Sequence, residues 1–204
     1  MDLILIRHPA VGVPTGICYG RSDVPLAADP SPEVQRCLNR IGTLNLCDPV
    51  GAVHASVLSR CTQIAAPLAA HFNVVMQADS RLREIDFGRW EMQAWEAIDR
   101  GEIDAWAQDL ENARVHGGES VAMLALRVGA WLKECETSEV ADENSVGRPV
   151  VVIAHAGVIR VLTALALRLP LATCVDWHLP FGGLSQLRYN VSQKRWTLVT
   201  WNGA

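Results

Sequence analysis

Leu3-Ile4-Leu5-Ile6-Arg7-His8 and Val150-Val151-Val152-Ile153-Ala154-His155-Ala156-Gly157 share one plan: a short apolar run that stops at a histidine. Runs of this length, rich in β-branched residues and bounded by polar or glycine positions, read as buried strands. A buried strand that stops abruptly at a polar residue delivers that residue to the carboxyl edge of its sheet. In open α/β sheets that edge is where ligands bind. Two imidazoles with an adjacent guanidinium at such an edge point to chemistry on an anion.

The rest of the chain alternates helices with strands. Ala52–Ala55 and Asn73–Gln77 read as strands, and residues 33–46 and Ser59–His71 as helices. Trp90–Asp109 is helical in pattern and rich in tryptophan, and Gly117-Gly118-Glu119-Ser120 opens a long helix to about Cys135. Glu136–Arg148 is polar and loop-like. Val158–Leu167 is a helix that Pro170 ends. Ser185–Tyr189 and Arg195–Thr200 form a terminal hairpin. Strands alternating with helices imply an α/β fold, a three-layer α/β/α sandwich with a mostly parallel sheet covered on both faces. No composition shift divides the chain, so residues 1–204 are expected to form one domain, with a helical cap at about 90–116. The glycine- and proline-rich segment from Pro9 to Pro32 is too long for a simple connector, and such loops are usually functional or disordered.

Composition narrows the function. The chain has 204 residues and a formal net charge of −4, so no global basic field serves nucleic acid and any anion site must be local. The longest apolar stretch, Val150–Leu167, contains His155 and Arg160, which a strand followed by a helix explains better than a membrane span. No basic segment precedes the first strand, which argues against a signal peptide and for a cytoplasmic protein. The six cysteines are scattered, without a C-x-x-C pair or a cluster spaced for zinc, and read as free thiols. No metal or cofactor is expected.

Each candidate residue has a plain structural reading beside the functional one. Arg7-His8 is also what any strand with a polar end looks like. Arg60, in the first turn after Ser59, is either an anion ligand at a helix start or a solvated arginine. Glu84 and Asp86 would share one side of an extended segment, and one of them is a candidate proton donor. Glu119 and Ser120 read as helix-start residues. His71 reads as a helix-dipole partner, and His178 as a residue near a pocket rim.

Taken together, Arg7-His8, Ser59-Arg60-Cys61-Thr62-Gln63, Leu82-Arg83-Glu84-Ile85-Asp86-Phe87-Gly88, Gly117-Gly118-Glu119-Ser120 and His155-Ala156-Gly157-Val158-Ile159-Arg160 resemble the histidine phosphatase superfamily, the phosphoglycerate-mutase-like fold. The resemblance covers nearly the whole chain and keeps the family's order. It implies that His8 is the nucleophile and carries a transient phosphohistidine. It implies that Arg7, Arg60 and His155 hold the phosphoryl oxygens, and that Glu84 protonates the leaving oxygen. Glu84 must then be protonated near neutral pH, through burial or a nearby anion. Phosphoryl transfer is mostly positioning and charge stabilisation, and arginines supply permanently charged donors in place of a metal ion. Tyr19 and Ala156 are further candidate phosphate or substrate contacts. A carbonyl in the Gly12–Gly20 loop would hold the second nitrogen of His8 and fix its tautomer.

The first motif departs from the family pattern. Pro9-Ala10-Val11 stands where Gly-Glu-Thr is usual, and Pro14 where an Asn often supplies another phosphate ligand. Between Glu84 and Gly117 only Arg89, Arg100 and Arg114 are basic, whereas mutases carry a basic stretch there, so the resemblance favours net hydrolysis. Cys18-Tyr19-Gly20-Arg21-Ser22-Asp23-Val24-Pro25-Leu26 and Phe87-Gly88-Arg89-Trp90-Glu91 look most like the α-ribazole phosphatases of cobalamin nucleotide-loop assembly. Trp90 and Trp95 would then stack on a flat base, or else form the core of the cap. The expected partner is a small phosphorylated metabolite, with neither nucleic acid nor membrane; other sugar or nucleotide phosphates and phosphoglycerate mutation are the nearest alternatives. A phosphoprotein phosphatase and, from another class, a non-catalytic module that binds a phosphorylated ligand also fit these residues.

Overall fold

The computed structural model describes residues 1–141 and 147–203, with residues 138–141 described as backbone only. In chain order the elements are β1 (Asp2–Arg7), β2 (Ile17–Cys18), α1 (Ser31–Gly42), β3 (Ala52–Ser56), α2 (Ser59–Phe72), β4 (Met76–Asp79), β5 (Gln93–Ala94), α3 (Arg100–Gln108), α4 (Val121–Ala141), β6 (Val150–Ala154), α5 (Ala156–Leu167), β7 (Leu184–Asn190) and β8 (Arg195–Gly203). The main sheet has the order β4-β3-β6-β1-β7-β8. Its first four strands are parallel, and β7 and β8 continue it antiparallel. The mostly parallel α/β sheet of the sequence reading is therefore present.

Strand alternation divides the core between two faces. Leu3, Leu5, Val152 and Ala154 pack with Leu124, Val128 and Trp131 of α4 and with Val158 and Leu162 of α5. Ile4, Ile6, Val151 and Ile153 face the other way, onto Cys37 and Ile41 of α1 and Ile64 and Leu68 of α2. Both faces of β1 and β6 are thus buried, which is why their sequences are continuous apolar runs rather than alternating ones. A smaller aromatic cluster around Trp90, Ile98 and Cys18 sits under Trp95, Ile103 and Trp106. Among the described residues no helix is long and apolar enough to cross a membrane. All six cysteines are free thiols.

Several boundaries differ from the sequence reading, each for a local reason. α1 starts at Ser31, because Pro32 fits a first helical turn whose N–H needs no partner, and it stops at Gly42. Asn73 is not a strand residue: it caps α2 in the left-handed conformation (φ 55°), so β4 begins only at Met76. Trp90–Asp109 is helical only in pieces. Short 3-10 turns at Gly88–Trp90 and Trp95–Ala97 flank the two-residue β5, and α3 starts where Asp99 accepts the Glu102 N–H at 3.1 Å. α4 runs on to Ala141, so Glu136–Ala141 is helix rather than loop; residues 142–146 of that expected loop lie outside the described residues.

Candidate active site

The β1–β6 register builds the site. Arg7 pairs with Ala154, the last residue of β6, and the His8 N–H donates to the Ala154 carbonyl at 3.0 Å. His8 and His155 are thus the next residues on two parallel neighbours. Both continue the alternation of the α1/α2 face. Their rings meet edge-on, with centroids 5.1 Å apart.

His8 is buried, and its Nδ1 lies 2.7 Å from the Pro9 carbonyl oxygen. That carbonyl only accepts, so Nδ1 carries the proton and Nε2 keeps a free lone pair. The tautomer is fixed by Pro9 itself, not by a carbonyl of the Gly12–Gly20 loop. Burial, then the Arg60 and Arg7 charges, lower the His8 pKa to about 3. Burial likewise drives His155 well below the ordinary histidine value, with the neighbouring His8 and Arg60 acting the same way. Both imidazoles are neutral across the physiological range.

Two guanidiniums flank this pair. Arg60, in the first turn of α2, is fully buried. It donates to the Ser22 and Gly20 carbonyls at 2.6 and 2.7 Å and lies 3.4 Å from His155 Nδ1. These partners carry no formal charge, and among the described residues no carboxylate pairs with it. Tyr19 lies beneath it, with the ring centroid 5.2 Å away. Arg7 donates to the Leu179 carbonyl at 2.6 Å and stacks 4.0 Å over Phe181. Its Nε–H is buried without a partner, a donor left for a ligand oxygen.

Glu84 closes the opposite side. Its Oε2 accepts the Gly157 N–H at 3.2 Å, in the first turn of α5. Ala156 opens the same helix, where first-turn amides lack intrahelical partners. Asp86 goes elsewhere, accepting the Gly88 N–H at 2.7 Å and pairing with Arg21 at 3.3 Å. Arg7, Tyr19, Glu84, Trp95, Arg160 and Phe181 all line a cavity of about 480 Å³. Of the two acids, Glu84 lines the cavity and Asp86 does not.

Other expectations sort themselves in the same way. Trp90 does not reach the cavity: it is buried, and its Nε1 donates to Glu102 at 2.9 Å. Trp95 does reach it. Ser120 caps α4 by accepting the Met123 N–H at 3.2 Å, and Glu119 pairs with Arg127 at 2.8 Å. The His178 carbonyl accepts from Trp201 Nε1 at 2.8 Å. The sequence reading gave no role to Ser56, Arg160 or Phe181. Ser56 ends β3 and places its hydroxyl 2.8 Å from His155 Nε2. A small polar residue at the carboxyl end of a parallel strand was the available signal. Phe181 lay in a loop whose path was not legible.

Two buried neutral histidines between two guanidiniums that have no carboxylate partner among the described residues make an arrangement suited to an oxyanion. The sequence profile of the Histidine phosphatase superfamily (branch 1) matches residues 3–203. The chain belongs to the histidine phosphatase superfamily. It is 33% identical over 168 residues to glucosyl-3-phosphoglycerate phosphatase of Mycobacterium tuberculosis, covering 74% of this chain and 72% of that one. The solved structure of the mycobacterial glucosyl-3-phosphoglycerate phosphatase superimposes with a TM-score of 0.83 at 27% identity, over 100% of this chain and 99% of the other. A putative α-ribazole-5′-P phosphatase from Escherichia coli superimposes with a TM-score of 0.81 at 25% identity, over 100% and 96%. Family and phosphatase relatives together place this histidine phosphatase among the phosphomonoester hydrolases.

Proposed function

We propose that this histidine phosphatase hydrolyses a small phosphorylated metabolite through a phosphohistidine on His8 Nε2. One observation carries the reading: the only lone pair left on the buried, neutral His8 ring is on Nε2, because Nδ1–H is tied to the Pro9 carbonyl. Nε2 attacks phosphorus as the ester O–P bond breaks. Glu84 gives its proton to the departing alcohol oxygen. Water then attacks the phosphohistidine, Glu84 takes a water proton, and the N–P bond breaks to release phosphate. Arg60 and Arg7 bind the equatorial oxygens, whose charge grows in the transition state. Pro14 cannot donate to them, and the unpaired Arg7 Nε–H is the remaining donor in hand.

α-Ribazole 5′-phosphate is the substrate this reading favours. The support is the aromatic rim of the cavity, Phe87, Trp95 and Phe181, which suits a flat base beyond the phosphate. A glucosylated phosphoglycerate is the second reading, favoured by the 33% identity to the mycobacterial enzyme and by Arg160 in the cavity wall, a partner for a substrate carboxylate. Reactions with ³²P-labelled substrate, quenched in alkaline SDS, test the mechanism: wild type should yield an acid-labile, base-stable phosphoprotein and His8→Asn none. Hydrolysis of p-nitrophenyl phosphate by His8→Asn at the wild-type rate would overturn it. A non-catalytic binder would give no phosphoprotein at all. A substrate panel ranking α-ribazole phosphate, glucosyl-3-phosphoglycerate, sugar phosphates and phosphopeptides by kcat/KM decides between the two substrates.

A further inference from the structure

A second cavity, of about 360 Å³, opens on the α1 side of the β7–β8 hairpin and shares no residue with the catalytic pocket. It exists because β7 and β8 extend the sheet beyond the area that α1 covers. Arg40 and Asn45 come from the end of α1 and the turn after it. Leu184, Gln186 and Arg188 come from one face of β7, and Thr200 from β8. The lining holds two arginines and no acidic side chain.

Asp2 neutralises one arginine, accepting from Arg188 at 2.7 and 3.0 Å. Arg40 has no such partner among the described residues. Its guanidinium donates to the carbonyls of Gly182, at 2.5 Å, and Gly203. Carbonyls satisfy its N–H groups and leave its charge in place. Gln186 adds an independent sign. It is 3% exposed, yet its amide nitrogen has no hydrogen-bond partner. A buried, unpaired donor is costly and is found where a partner arrives from outside the chain.

We infer that this cavity is a binding site for a small oxyanion, held by the Arg40 charge and the Gln186 amide. Charge and hydrogen-bond polarity agree on that class: among the described residues the lining holds one arginine without a carboxylate partner, one unpaired donor and no acidic side chain. Phosphoryl and carboxylate ligands share this chemistry. The site is also connected to the first. Arg40 holds the Gly182 carbonyl while the Gly182 N–H donates to the Arg7 carbonyl at 3.1 Å, and Phe181, next in the chain, stacks on Arg7.

Calorimetric titration of the whole protein with inorganic phosphate tests the inference, with malonate as a parallel carboxylate arm. Wild type should bind two phosphates, and Arg60→Ala should keep only the Arg40 site. Gln186→Leu, which fills the same volume without a donor, should weaken the second phosphate at least tenfold and leave phosphate inhibition of p-nitrophenyl phosphate hydrolysis unchanged. Arg40→Met should weaken the second phosphate at least as much. Tighter phosphate marks a phosphoryl ligand; tighter malonate marks a carboxylate. A single phosphate in wild type that Arg60→Ala abolishes, with no malonate bound, overturns the inference. So does a second phosphate that survives both Gln186→Leu and Arg40→Met. Should Arg40→Met fail to fold, the Gln186→Leu result decides.

Discussion

The Gly157 backbone N–H meets the Glu84 carboxylate at 3.2 Å, which ties the proposed proton donor to the same strand–helix junction that carries His155. The contact depends on glycine. A Cβ at position 157 would stand 2.5 Å from Glu84 Oε1. The carboxylate is the flexible partner and must give way. Gly157→Ala is therefore expected to fold normally and to lose kcat by about 10- to 100-fold, since a misplacement on the order of 1 Å costs that much. Steady-state kinetics beside a melting curve check this; unchanged kcat would detach Glu84 from the chemistry.

Arg60 is expected to resist replacement by lysine. Its planar fork reaches the Gly20 and Ser22 carbonyls at once while facing the two histidines. An ammonium is a point charge and cannot span the two carbonyls in that geometry. Arg60→Lys should lower kcat/KM for p-nitrophenyl phosphate by about 10²–10³-fold, the range found when one oxyanion donor is removed. A loss smaller than tenfold would show that charge alone suffices.

Acid should destabilise the ligand-free protein earlier than carboxylate titration does. His8 titrates near 3 in the fold and near 6.5 when unfolded. Between those values the unfolded chain binds the extra proton, so stability falls as pH falls through that window. The slope is about 1.4 kcal/mol per pH unit for each such histidine, and His155 acts in the same direction. Denaturant melts from pH 7 to 4 should be steeper in pH for wild type than for His8→Asn. The same pKa means that protonation of His8 contributes no acid limb near 6.5 to kcat/KM.

The two tryptophans once paired as candidate base platforms should separate cleanly. Trp90 is 1% exposed in the satellite core, so Trp90→Ala should cost about 3–5 kcal/mol of stability. Trp95 lines the cavity. Trp95→Ala should raise KM for α-ribazole phosphate by about 3- to 10-fold, the worth of one aromatic contact, and leave p-nitrophenyl phosphate turnover nearly unchanged. An equal effect on both substrates would count against stacking.

What could be read from the sequence followed from one-dimensional signals. The apolar runs ending at His8 and His155 placed both residues on one sheet edge, and the Ser59-Arg60 helix start placed the second arginine. Contacts made by backbone carbonyls were not legible. The Pro9 oxygen that sets the His8 tautomer, and the Gly20 and Ser22 oxygens that hold Arg60, depend on loop path rather than residue type. Trp90 and Trp95 were indistinguishable by composition and spacing, because a chain of short 3-10 turns, not one helix, decides which faces the cavity. Ser56 was visible as a strand end but had no partner until β3 and β6 were paired.

The pairing of β1 with β6 joins residues near the start of the chain to residues some three-quarters of the way along it. Contacts so distant in sequence form late, because a large loop must close first. During synthesis His8 emerges early, but the wall that buries and neutralises it does not exist until β6 has been made. The proposed nucleophile should therefore be an ordinary solvated histidine for most of the chain's growth. Chains truncated before Val150 should therefore be silent as phosphatases, because the pairing that completes the centre of the sheet also completes the proposed site.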